Sequence, residues 1–439
     1  MSEAEVPERP SAPDVLPRAV RQAPPASAVE TWQSWTGVAG FALALVLLRI
    51  RELALVDAFV LIGVLTALPI IVLEARKSRG SARLVHPFDA AHAERVMAKL
   101  AGLGLTFALI ALAYWAIPYY RDGPATILRE LLGRPYVAVS LAVLAPVYLS
   151  LTDRTMAEPE DTLYRVGRRL FGIAEPVDAP ALRQFVLGWI VKAFFLPLMI
   201  LFTIDYVRWW YRVDLAGVWT GYFSVYEFLY EMVFFVEVTF AAVGYVLTLR
   251  LLGTHIRSSE PTTLGWLVAV LCYPPFWTGV FATMILAYDA DGRSWGDFFG
   301  GVPVLAHLWA AVLLALVAVY ASATVQFGIR FSNLTHRGIL TNGPYRWSKH
   351  PAYITKNISW WMLSVPFLSQ EGPAEAFRLS LLLAGVNVIY YLRAKTEERH
   401  LARDPVYRDY MAFMARHALL AVVRRRLLAP LRAPGRGAG

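Results

Sequence analysis

Residues Val302–Val325 read VPVLAHLWAAVLLALVAVYASATV, an apolar run that holds no Asp, Glu, Lys or Arg. Folded as a helix at about 1.5 Å per residue, it is long enough to cross a hydrocarbon layer about 30 Å thick. Helix is also the conformation a single segment must take there, because lipid offers no partners to peptide N–H and C=O groups. Similar runs recur outward from this one in both directions. Before it lie Trp32–Leu48, Leu53–Leu73, Leu100–Ile117, Tyr136–Leu151, Phe185–Tyr206, Tyr222–Leu249 and Leu264–Ala287. After it come Ile358–Phe367 and Phe377–Leu392. The pattern predicts an all-α, polytopic transmembrane helical bundle of about ten spans. Ile358–Phe367 is too short to cross comfortably. It is expected to form half of a tight helical hairpin with Phe377–Leu392, turning at Gln370-Glu371-Gly372-Pro373.

Composition agrees with this patterning. Of 439 residues, 57% are hydrophobic and only 17% charged, where a soluble domain usually carries about 25% charged. The mean hydropathy is +0.47. The net charge of +9 does not point to nucleic acid, because the basic residues sit in the connections between apolar runs. Alternating the spans puts Arg76, Lys77, Arg79, Arg83, Arg95 and Lys99 on one side, with Arg154, Arg165, Arg168, Arg169 and Arg183. Arg330, Arg337, Arg346, Lys349 and Lys356 fall on that side too, while the other holds fewer basic residues. The richer side is expected to be cytoplasmic, which places both termini and the His350 segment inside, in a prokaryotic plasma (inner) membrane. Cys272 is the sole cysteine, so no disulfide or cysteine-based zinc site can form within the chain, and it is expected to serve packing. No metal site is predicted.

Four regions are expected. Residues 1–30, polar and proline-rich, read as a disordered cytoplasmic arm. Residues 31–300 form an N-terminal bundle, 301–425 a compact unit with its own chemistry, and 426–439 a basic flexible tail. Glu227, Glu231 and Glu237 fall inside one span, and Lys192 and Asp205 inside the preceding one. Ionisable groups at that depth are expensive. Structural pairing, with Lys192 neutralising one glutamate, is the expected explanation.

Chemistry concentrates after Val325. Asn333, Thr335, His336, Arg337 and Gly338 lead to Asn342-Gly343-Pro344-Tyr345-Arg346-Trp347-Ser348-Lys349-His350-Pro351-Ala352-Tyr353. Asn-Gly-Pro marks a turn, and Pro351 suits the first position of a helix, with Tyr353 near His350 in its first turn. After the hairpin come Arg393, Glu397 and Glu398; Arg393 and Glu397, four apart, share one helical face. Asp404-Pro405 then caps and starts a helix with Tyr407 and Tyr410. Another His-Pro, His86-Pro87, has no such company and reads as loop.

These two stretches together resemble the isoprenylcysteine carboxyl methyltransferase and phospholipid methyltransferase group of membrane enzymes. The pattern matches at Gly343, Pro344, Tyr345, Arg346, Lys349, His350, Pro351 and Tyr353, and again at Arg393, Glu397, Glu398, Leu401, Tyr407 and Tyr410. Thr355 stands where the family often has glycine. The resemblance covers roughly residues 305–420, a methyltransferase-like helical hairpin unit. It implies S-adenosylmethionine held at the cytoplasmic membrane face and a lipid-like or lipid-anchored acceptor reached from the bilayer. His350, Pro351 and Tyr353 would then contact the cofactor, and Tyr345 and Arg346 would shape its loop. Glu397 would accept hydrogen bonds from the ribose or amino group, and Arg393 would hold a carboxylate. Two other readings compete: a sterol-reductase-like membrane enzyme using NADPH, and a transporter or scaffold whose enzymatic unit has decayed. Arg-x-x-x-Glu-Glu after the hairpin favours methyl transfer.

Overall fold

The protein is described here from a computed structural model covering residues 23–78, 84–173 and 176–428. The predicted arm up to residue 22 and the tail from residue 429, with Arg79 and Arg83, lie outside these described residues. The chain opens with a helical pair, α1 (Thr31–Ile50) and α2 (Leu55–Ser78), followed by α3 (Ala90–Ala116). Two short helices, α4 (Pro118–Asp122) and α5 (Pro124–Gly133), lead to α6 (Pro135–Thr155) and α7 (Thr162–Leu170). Two long helices, α8 (Ala179–Arg212) and α9 (Tyr222–Val246), form the centre. The second half holds α10 (Thr263–Val270), α11 (Trp295–Phe299), α12 (Pro303–Val325), α13 (Pro351–Ser364), α14 (Pro373–Leu401), α15 (Pro405–His417) and α16 (Leu419–Leu428). Strands β1 (Ser258–Ser259) and β2 (Thr335–His336) make one short antiparallel pair.

Eight of these helices, α1, α2, α3, α6, α8, α9, α12 and α14, are long and apolar enough to cross a membrane by length and composition. The fold is a polytopic transmembrane helical bundle. Local chemistry sets the boundaries. Proline, whose missing N–H costs nothing in a first turn, begins α4, α5, α6, α12, α13, α14 and α15. The carboxylates of Asp89, Asp161, Asp178 and Asp404 cap α3, α7, α8 and α15 by accepting backbone N–H bonds.

Two predicted spans fold differently. Within Leu264–Ala287, α10 stops at Val270, and the chain passes Pro274-Pro275 before a wider helical turn over Trp277–Ile285. Consecutive prolines supply no N–H to continue a helix. The short segment at Ile358–Phe367 belongs to α13, which ends where Val365 adopts a left-handed backbone (φ 45°) ahead of Pro366. The hairpin partner α14 runs unbroken from Pro373 to Leu401, so the Arg393 motif is a continuation of a spanning helix. Cys272 packs beside Leu383, Val386 and Tyr390.

The core lies between α8 and α9, where Phe195, Leu198, Ile200, Ala241, Ala242 and Tyr245 are buried together. The intramembrane charges are arranged otherwise than expected. Lys192 places its ammonium 4.7 Å from the Trp189 ring centre, and Asp205 pairs with Arg208; neither engages the glutamates. An aromatic face one turn away is the nearer partner for the cation, and Glu237 reaches α12 instead.

Two sets of contacts, among others, fasten the segment 326–350 to the rest. Residues Pro25–Val29, which the sequence reading placed in the arm, lie along it. Ala28 N–H donates to Ile339 O (2.8 Å), Thr341 Oγ1 to Pro25 O (2.7 Å) and Asn342 Nδ2 to Val29 O (2.6 Å). These bonds order the last residues of the predicted arm. The second contact is Arg337, buried at 3% exposure. Its guanidinium donates to the carbonyls of Thr254 (2.6 Å), Gly244 (2.8 Å), Phe331 (2.7 Å), Leu247 (3.1 Å) and Ile329 (2.9 Å). Gly244 lies in the last turn of α9 and Leu247 just past it, at the negative end of that helix dipole. Arg337→Lys keeps the charge and loses the forked donors, leaving buried carbonyls without partners. The expected cost is about 3 kcal/mol, read as a lowered melting temperature in detergent; an unchanged melting temperature would refute the clamp.

Candidate active site

Segment 326–350 turns on three glycines with positive φ, Gly328 (φ 53°), Gly338 (φ 125°) and Gly343 (φ 54°). A Cβ on Gly343 would meet Gln326 Oε1 at 2.5 Å, so close approach as well as backbone conformation requires glycine there. Tyr410 of α15, buried, donates its hydroxyl to Tyr345 O at 2.6 Å. His336 Nε2 lies 2.8 Å from Asp404 Oδ2. Segment 326–350 is thus tied to α15, and it delivers His350 to the start of α13.

There α13 and the last turns of α14 face each other. Tyr353 donates its hydroxyl to Glu397 Oε2 at 2.8 Å. The His350 ring stacks on Tyr353, with centres 5.5 Å apart and planes 7° from parallel, and His350 Nε2 lies 3.0 Å from Glu398 Oε1. Lys349 and Lys395 also pair with Glu398, the latter at 3.1 Å. Adjacent glutamates therefore do different things: Glu398 gathers three basic groups, whereas Glu397 is held by a phenol.

One turn earlier, Arg393 is only 8% exposed. It donates through Nη2 to Asn333 Oδ1 (2.6 Å) and sits over the rings of Tyr353 (5.2 Å), Tyr273 (5.7 Å) and Tyr390 (5.9 Å). Asn333 is itself fixed, donating through its backbone N–H to Tyr245 OH (2.9 Å) and through Nδ2 to Tyr273 OH (3.0 Å). Among the described residues no carboxylate lies within ion-pair distance of Arg393. Arg393 and Glu397 share a face but stay unpaired, with Tyr353 between them.

Much of this arrangement borders one cavity of about 150 Å³. Tyr345, His350, Pro351, Tyr353, Arg393 and Glu397 line it, so six of the seven residues singled out from the sequence come together. Arg346 does not; it is exposed on the turn Gly343–Arg346 and outside the lining. Sequence reasoning did not place Tyr273, Asn333, Lys356, Tyr320 or Glu237 in the site, although it singled out Glu237 as a charge within a span; all five line the cavity. Asn333 lay within the polar stretch already noticed. Tyr273, beside Pro274-Pro275 in an apolar run, gave no signal. The residues present suit a ligand that carries both signs of charge, since a buried guanidinium and a carboxylate open onto one cavity without cancelling each other.

The isoprenylcysteine carboxyl methyltransferase family model matches residues 304–403, from α12 to just past α14. Comparison with curated proteins and with solved structures found no match. The matched stretch is similar to a family of membrane methyltransferases, and it contains Tyr345, His350, Pro351, Tyr353, Arg393 and Glu397 of the cavity lining.

Proposed function

We propose that this chain is an integral membrane methyltransferase that uses S-adenosylmethionine and acts on a carboxylate, or another oxygen or head group, of a lipid-like acceptor. One observation carries the reading: Arg393 and Glu397 occupy successive turns of α14 on one cavity, each open to a ligand. The methionine portion of the cofactor bears a carboxylate and an ammonium, which call for such a pair. S-adenosylmethionine, when bound there, supplies an activated methyl group.

The chain's own residues bind and orient. Arg393, aimed by Asn333, offers its remaining N–H groups to a carboxylate. Glu397, aimed by Tyr353, accepts from an ammonium or a ribose hydroxyl. The stacked His350 and Tyr353 present a flat wall, and Glu398 fixes His350 in place. An anionic acceptor oxygen asks for no general base, so holding the two reactants in line is the protein's main contribution, worth several kcal/mol. The basic connections support a cytoplasmic opening for the cofactor, with both termini inside an inner membrane. In this proposal residues 31–300 form the bundle that walls the acceptor side and 301–425 the catalytic unit.

The test is a thermal shift of detergent-purified protein. S-adenosylmethionine at about 100 times its dissociation constant should stabilise the fold by about 2.7 kcal/mol, and Glu397→Ala should remove that gain. A shift given by reduced nicotinamide nucleotide in its place would transfer the site to the reductase reading.

A further inference from the structure

The cavity has a second polar end, built partly by a helix outside residues 304–403. Lys356 lies on α13, three residues beyond Tyr353 and so about 4.5 Å further along the axis. Tyr320 lies on α12, more than one turn before its end, and Glu237 on α9, more than two turns before its end. The starts of α13 and the ends of α9 and α12 meet at segment 326–350, where Arg337 bonds to Gly244 and Leu247. All three side chains are thus set back from that end, toward the bilayer interior, and all three line the cavity.

Their hydrogen bonding is unequal. Glu237, 9% exposed, accepts at Oε1 from Tyr320 OH (3.0 Å) and Thr324 Oγ1 (3.5 Å). Lys356 Nζ reaches Tyr320 OH at 3.4 Å and sits 4.9 Å from that ring's centre and 5.4 Å from that of Trp360. Among the described residues that long bond is the one hydrogen bond its ammonium makes, although it has three N–H groups. The phenol stands between cation and carboxylate, so the two charges do not form an ion pair. What remains unmet is donor capacity on a cation that lines the cavity, and an anionic oxygen is a group that satisfies it.

We propose that Lys356, with Tyr320 and Glu237, forms the acceptor subsite, and that Lys356 grips an anionic oxygen in the head of an amphiphilic acceptor. The inference rests on the methyl-transfer reading for the word acceptor, and on the geometry alone for anion binding. It gives the N-terminal bundle a role: through Glu237 on α9, that bundle orients the hydroxyl that holds Lys356.

The test compares three probes with one alkyl chain, namely oleate, oleoyl lysophosphatidate and oleyl alcohol, by their effect on melting temperature in a neutral detergent. At least one of the anionic probes is expected to bind at least about tenfold more tightly than the alcohol, as a charge-assisted bond to a cation should. A preference for oleate names a carboxylate acceptor, and one for lysophosphatidate names a phosphate. Lys356→Met should erase the preference while the shift with S-adenosylmethionine persists. Lys356→Gln, which keeps a polar donor on a slightly shorter side chain but not the charge, gives the same reading if the methionine variant is unstable. Equal binding of all three probes to wild type, or a preference that survives both substitutions, would overturn the subsite. Failure of wild type to bind S-adenosylmethionine would overturn the methyl-transfer reading instead, and the probe preference would still judge Lys356.

Discussion

Arg393→Met is expected to abolish stabilisation by S-adenosylmethionine while leaving the ligand-free protein folded, with a melting temperature equal to or above that of wild type. The two halves of this expectation have one cause. Arg393 is a buried cation with no carboxylate in reach; Asn333 Oδ1 and three tyrosine rings surround it. Cation–π contacts and one hydrogen bond offset part of the desolvation of a guanidinium, but a full counter-charge is missing. Replacing the side chain with a shorter, flexible apolar one therefore relieves the ligand-free state. The same replacement deprives a bound carboxylate of its partner, which costs about 3–5 kcal/mol, or roughly 10²–10⁴-fold in affinity. Arg393→Lys should fall between, keeping the charge but not the fork that reaches Asn333 and a carboxylate together. A methionine variant that melts well below wild type, or that still gains stability from the cofactor, would show that Arg393 braces α14 and binds nothing.

That arrangement explains which parts of the protein were legible in its sequence. Span-length apolarity is a one-dimensional property, so the runs that became α1, α2, α3, α6, α8, α9, α12 and α14 could be read directly. Leu264–Ala287 misled because its composition is that of a span, while two adjacent prolines decide its shape. The site divides the same way. Arg393 and Glu397 could be paired by the helical repeat, and His350 with Tyr353 by the helix start at Pro351. Asn333, Tyr273, Lys356, Tyr320 and Glu237 come from five segments, and only the packing of α9, α12, α13 and α14 brings them to one cavity. Lys356 counted in the sequence as one more basic residue of a connection. In the fold it is inside α13, with aromatic faces on two sides. Arg346 erred in the opposite direction: its neighbours Tyr345 and His350 turn inward, and a short helical turn carries Arg346 out.

Glu398→Gln is expected to raise the KM for S-adenosylmethionine about 10–100-fold, with a smaller effect on kcat. In the sequence Glu398 is one of the matched positions and carries no assigned role beside Glu397. In the structure it is a junction: Lys349, His350 and Lys395 all converge on its carboxylate. The bond to His350 Nε2, 3.0 Å long, is the one that matters for the cavity, because it sets the angle at which the imidazole stacks on Tyr353. An anionic Glu398 draws the ring proton to Nε2, which fixes the tautomer as well as the position. Glutamine preserves shape and can still accept from Nε2–H, but the bond is no longer charge-assisted, and the ammoniums of Lys349 and Lys395 lose their shared counter-charge. Losing such a bond costs about 1.5–3 kcal/mol, and the loss falls on assembling the site, since Glu398 is absent from the cavity lining while His350 is part of it. A role confined to fold stability would lower the melting temperature and leave KM unchanged. Positioning through His350 instead predicts that His350→Ala raises KM by a similar factor and that the double variant is no worse than either single one. Additive effects in that cycle would mean that Glu398 and His350 act separately, and Glu398 would then not work through the imidazole.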